Sequence, residues 1–182
     1  MDRKDLRMSA ADKASSGRLR QVIWAGPAVF LIHDVEEVAT IQDWTFLHGD
    51  RLPALFRSLL PITTVEFGVA ATALLLVFIA AACLADRARR EGGRAVDFFV
   101  LLVAVVGTNA LGHVAQAILF GAYVPGLFTA VLLGLPYACW GLATVARSGS
   151  HGVGWLAGAV GVAAVVQGPV ATLALVLGKS LV

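Results

Sequence analysis

A chain of 182 residues that is 58% hydrophobic and only 14% charged, with a mean hydropathy of +0.81, carries several apolar runs near the length of about 20 residues that crosses a bilayer. Spans and short connections use almost all of it, which leaves no length for a separate soluble domain. The net charge of +2 sits in the flanks and points to membrane topology, with no nucleic-acid partner.

Residues 1–20 form a basic segment with six Lys and Arg, and residues 21–40 read as an uncleaved first span because no small-x-small cleavage site precedes its polar end. Residues 41–61 mix Trp44, His48, Arg51, Pro53, Arg57 and Pro61 with apolar residues and suit an interfacial segment. Further spans follow at 62–85, 95–120, 126–146 and 153–178. The expected fold is therefore all-α, a single five-helix transmembrane bundle over 21–182. Cys83 and Cys139 lie in apolar runs without CxxC spacing and read as core filling. Gly154-x-x-x-Gly158 reads as ordinary close packing, with a homodimer face as the other use of such a stripe. Placing the N-terminus in the cytoplasm and the C-terminus outside puts eleven of the fourteen Lys and Arg on the cytoplasmic side.

The segment His33-Asp34-Val35-Glu36-Glu37 sets three carboxylates and an imidazole inside the first span. A single charge at the centre of a spanning helix costs roughly 2.5–3.5 kcal/mol, so this side of the helix should avoid lipid. Helical spacing puts His33, Glu36 and Glu37 on one face, with Asp34 expected to point away. At 1.5 Å of rise per residue, His33 to Glu37 lie about 18–24 Å up the first span and Asn109 to His113 about 21–27 Å up the third. Glu66 and Gln167 fall near the same level, and Gln116 shares a helix face with Asn109 and His113. One polar layer in the outer half of the bundle results. His48 and His151 lie in connections and read as solvated.

These motifs resemble those of the membrane-protein family named for its HxxEE motif, which also carries NxxxH and YxPG. Here they read His33-Asp34-Val35-Glu36-Glu37, Asn109-Ala110-Leu111-Gly112-His113 and Tyr123-Val124-Pro125-Gly126. The resemblance implies that His33, Glu36, Glu37, Asn109, His113, Tyr123, Pro125 and Gly126 are signature positions, and it brings no reaction with it. Read alone, Tyr123 to Gly126 is a turn that starts the fourth span, with Tyr123 placed to cap the site.

Two imidazoles with carboxylates suit Zn, Fe or Mn, and a dication offsets buried negative charge. The expected metal ligands are His33, Glu36, Glu37, His113 and Glu66. Glu36 or Glu37 would act as general base, Asn109 would stabilise developing oxyanion charge, and Tyr123, Gln116 and Gln167 would contact substrate. The first expectation is a metal-dependent enzyme that hydrolyses or transfers a group of a lipid or isoprenoid entering from the outer leaflet, through a cavity open outward. A non-haem iron oxidase of lipids is the runner-up. Metal-free proton chemistry, in a cyclase or proton-coupled transporter, and a structural membrane subunit are the further alternatives.

Overall fold

The computed structural model describes residues 10–89, 93–149 and 151–182, so residues 1–9 of the basic segment and Arg90 in the 86–94 connection lie outside it. Every regular element among the described residues is helical. In chain order these are α1 (Ala10–His48), a 3-10 turn (Gly49–Arg51), α2 (Ala54–Arg57), α3 (Thr64–Ala88) and α4 (Arg94–Phe120). α5 (Leu127–Thr129), a π turn (Ala130–Gly134) and α6 (Leu135–Ser148) then form one continuous rod, and α7 (Val153–Leu181) closes the bundle. Four of these bodies, Thr64–Ala88, Arg94–Phe120, Leu127–Ser148 and Val153–Leu181, are long and apolar enough to cross a membrane.

α1 is the fifth long helix of the bundle, and its acidic residues set how it sits. His33 and Asp34 turn into the bundle and are buried, while Leu31, Ile32 and Val35, interleaved with them, are exposed on the lipid side. At 39 residues the helix extends about 58 Å, nearly twice the roughly 30 Å of a hydrocarbon core. It continues to His48, whereas the sequence suggests a break near residue 41. No Gly or Pro interrupts 41–48, and only the stretch from Gly49 onward is irregular.

α1 packs on α3 and α6, α3 on α4 and α7, and α4 on α6 and α7. Lipid tails are as apolar as the side chains, so these contacts hold by close packing, and small residues allow it. Ala81, Ala82 and Ala85 of α3 let Val22 and Ile23 of α1 approach, with Phe78, Phe99 and Tyr137 filling the remaining space. At the other end, a Cβ on Gly178 of α7 would collide with the Glu66 carbonyl of α3. By contrast, side chains added at Gly154 and Gly158 would meet nothing within 4 Å, so this stripe is not a helix contact inside the chain as the sequence suggests.

The two ends of the bundle carry separate polar contacts. Arg20 pairs with Asp86, and Arg89 bonds Ser16 at one end. Lys179 donates to the Pro61 carbonyl and to Glu66 at the other, where Arg51 also reaches the Phe120 carbonyl.

Candidate metal centre

His33 and Glu37, one turn apart on α1, meet His113 of α4 near the end of the bundle that holds Lys179 and Glu66. The two carboxylate oxygens of Glu37 divide between the rings: Oε2 lies 3.7 Å from His33 Nε2 and Oε1 lies 3.4 Å from His113 Nε2. One ligand atom from each of these residues falls within 4.8 Å of the other two. The imidazoles meet edge to face, with ring centroids 4.9 Å apart, and both side chains are buried.

Asn109, one turn before His113, sits between the rings. Its Nδ2 is 3.1 Å from His33 Nε2 and 3.0 Å from His113 Nε2. An amide NH2 donating to both makes each Nε2 an acceptor and puts both ring protons on Nδ1. The His33 Nδ1 proton then goes to Thr129 Oγ1 at 2.9 Å, whose own hydroxyl donates to Glu36 Oε2 at 2.6 Å. The His113 Nδ1 makes no full hydrogen bond, its electrostatic partner being the Pro125 backbone.

Glu36 faces a different neighbour from Glu37. Its carboxylate accepts from the Tyr123 hydroxyl (2.7 Å), the Phe128 amide (3.2 Å), the Thr129 amide (2.7 Å) and the Thr129 hydroxyl. It thereby satisfies amides in the first turn of the 127–148 rod that no helical carbonyl can reach. Burial pushes the Tyr123 phenol above its ordinary pKa, which keeps it a donor. The Trp44 indole holds the Tyr123 carbonyl at 2.7 Å. The expected role of Glu36 as ligand or base gives way to this one: four donors already occupy its oxygens.

The connection 123–126 is pressed onto the cluster. Gly126 has φ +78, and a Cβ there would stand 2.6 Å from His33 Cε1, 2.8 Å from Glu37 Cγ and 3.2 Å from His113 Cε1. Only glycine meets both demands. Val124, Pro125 and Gly126 are buried, so the connection roofs the cluster where the sequence suggests an outward opening. The π turn follows directly after Thr129, a distortion that often accompanies functional sites.

The accessible space lies on another side. A partly enclosed cavity of about 450 Å³ runs between α1, α3, α4 and α7, from Phe67 and Leu175 at one end to Phe98 at the other. His33, Asp34, Glu37, Asn109 and Gln167 form a polar patch on its otherwise apolar wall. Its volume is in the range of small-molecule sites.

Among the other expected site residues, Gln167 lines this cavity and accepts a hydrogen bond from Thr108 at 3.1 Å. Glu66 does not join the cluster, because it closes a capping box with Thr63 and pairs with Lys179. Gln116 is exposed and does not line the cavity: it keeps nearly the facing of Asn109 but lies about 10 Å further along α4, toward the Phe120 end. His48 stacks on Trp44, and His151 pairs with Asp97 at 2.7 Å, both away from the cluster. The residue that sequence reasoning missed is Asp34, which lines the cavity. Its signal was the i, i+3 spacing to Glu37, which puts the two on one face as surely as His33 and Glu37.

A family model described as "Protein of unknown function with HXXEE motif" matches residues 24–141. No curated protein and no solved structure matches the chain.

Proposed function

The chain belongs to the HXXEE-motif family, which hands down no reaction, and we propose that it is a metal-dependent intramembrane enzyme that hydrolyses or transfers a group of a lipid or isoprenoid substrate. The observation that carries this reading is the meeting of two imidazole Nε2 atoms and the Glu37 carboxylate at the wall of an apolar cavity. Two His and one carboxylate are the protein ligands of many catalytic zinc sites. With ligand bonds of about 2.0–2.1 Å, tetrahedral donors stand roughly 3.3 Å apart; here one donor atom from each residue lies within 4.8 Å of the others, and the two Glu37 oxygens reach His113 at 3.4 Å and His33 at 3.7 Å, so closing on an ion takes a contraction of the set. Zn or Mn would supply Lewis acidity and an activated water.

The rest of the argument concerns the chain's own groups. The Thr129 to Glu36 relay holds the His33 ring through its Nδ1 proton, as partners behind a ligating imidazole commonly do. Asn109 would turn its amide from the rings toward a substrate oxygen as the ion takes its place. The 123–126 roof excludes water from one side, and the cavity receives the hydrocarbon of the substrate. The Lys and Arg distribution supports a cytoplasmic N-terminus and a C-terminus outside, an orientation in which the cluster would lie in the outer half of the bilayer.

Two other readings rest on particular observations. The same His, His, carboxylate set suits non-haem iron, so an iron oxidase of lipids differs in the metal alone. The two hydrogen bonds of Asn109 also satisfy the rings without any ion, as a structural network would. The test is to purify the full chain in detergent after growth with Zn, Mn or Fe and to follow bound metal and release of a long-chain alcohol from its ester. A metal-dependent enzyme holds the ion and loses release on chelation. Release that survives chelation with no metal bound refutes the reading.

A further inference from the structure

Asp34 is not one of the HxxEE signature residues, since it occupies the first variable position of that motif. It is 93% buried, by its 7% exposure, and its Oδ2 has no hydrogen-bond partner among the described residues. A buried carboxylate without a donor destabilises a fold, and structural carboxylates are satisfied as Glu36 is here by four donors. Asp34 also contributes to the cavity wall beside Glu37. What fills the cavity is therefore placed to supply the partner that Asp34 lacks.

The cavity limits what that ligand is. Among the residues that line it there is no Lys or Arg, while Asp34 and Glu37 are both acidic. A phosphate or carboxylate head therefore finds none of its usual Lys or Arg partners on this wall. A hydroxyl or ammonium head meets an acceptor. Gln167 adds a neutral amide across the patch, its Oε1 already engaged by Thr108. Phe30, Leu74, Phe78, Leu101 and Val105 offer an uncharged path for a hydrocarbon chain.

We propose that Asp34 anchors the hydrogen-bond-donating head of a single-chain amphiphile, an alcohol or amine, whose hydrocarbon lies in the cavity between α1, α3, α4 and α7. This deepens the lipid reading and rests on it for the identity of the site, but binding through Asp34 needs no bound ion. Anionic amphiphiles are disfavoured because no Lys or Arg lines the cavity to receive their heads.

The test uses the full chain in phospholipid nanodiscs and three diazirine-bearing long-chain probes: an alcohol, the matching amine and the matching phosphate monoester. Cross-linked peptides are read by mass spectrometry, bound metal is assayed in the same samples, and thermal stability is recorded. The alcohol or the amine should label the peptides that hold Phe78 and Leu101 at least about tenfold more than the phosphate ester. Asp34→Leu should lower that labelling by about tenfold, leave metal content unchanged, and leave the thermal midpoint equal or higher, because it removes an unsatisfied carboxyl. Asp34→Asn separates the two heads: it keeps alcohol labelling, since an amide oxygen still accepts, and loses that of the amine. Equal labelling by the phosphate ester, labelling unchanged in Asp34→Leu, or a lowered thermal midpoint in both variants overturns the proposal, the last by making Asp34 a structural residue. Wild type that is labelled as expected without bound metal refutes the metal reading and leaves this one standing.

Discussion

Gly126 lies so close to His33 that a Cβ on it would stand 2.6 Å from the imidazole Cε1. The contact joins the YxPG and HxxEE motifs: the turn that starts the 127–148 rod is also the roof over the two imidazoles. Gly126→Ala should therefore act in two ways. The left-handed backbone at φ +78 disfavours alanine by about 1 kcal/mol or more, and the new methyl displaces His33 or lifts the turn. Thermal unfolding in detergent should show the loss of stability. Gly121→Ala, also at positive φ but with nothing within 4 Å, should show only the backbone part.

Glu36 holds the same turn by charge. Glu36→Gln presents an NH2 to amide and hydroxyl donors and should lower stability by about 1–3 kcal/mol, whereas Tyr123→Phe removes one donor and should cost about 1 kcal/mol. Both variants should increase the reactivity of a cysteine placed at Phe128. An unchanged midpoint in Glu36→Gln would mean that the carboxylate does not hold the turn.

Alkaline pH gives a further test of that clamp. The Tyr123 phenol is pushed above its ordinary value of about 10 by burial, so above that pH the unfolded chain releases a proton that the folded chain keeps. The contribution of this phenol to stability is therefore level below about pH 10 and falls as pH rises past it. The difference in midpoint between wild type and Tyr123→Phe should shrink in that range. A difference that grows with pH would contradict the assigned direction.

The five long helices, four of them long and apolar enough to cross a membrane, were legible as apolar runs, and the pairing of His33 with Glu37 and of Asn109 with His113 was legible because helical spacing alone fixes neighbours one turn apart. Depth was a weaker guide. It sets a residue's height along a span but not its direction around the helix, which is why Glu66, level with the cluster, is spent on capping Thr63 and binding Lys179. The Thr63-x-x-Glu66 spacing of a capping box was the available signal. Glu36 and Glu37 were inseparable by periodicity, since each lies within a turn of His33. Their different roles follow from the 123–129 segment, and only tertiary structure brings that against α1.

Topology can be tested at positions suited to it. A cysteine at Gly49 would collide with Leu60, whereas Asp50 is exposed and Gly17 has nothing within 4 Å. In a background lacking Cys83 and Cys139, Gly17→Cys should react only from the cytoplasmic side and Asp50→Cys only from outside. Reaction of both from one side would contradict a membrane-crossing α1.

The most direct test of the central claim is the metal content of the purified full chain after growth with Zn, Mn or Fe. About one ion per chain is expected in the wild type. His33→Ala, His113→Ala and Glu37→Gln should each lower it by about tenfold or more, while Glu66→Gln, His48→Ala and His151→Ala should leave it unchanged. Folded wild-type protein that retains none of the three metals above background, or His113→Ala protein that retains the full amount, would contradict the metal centre.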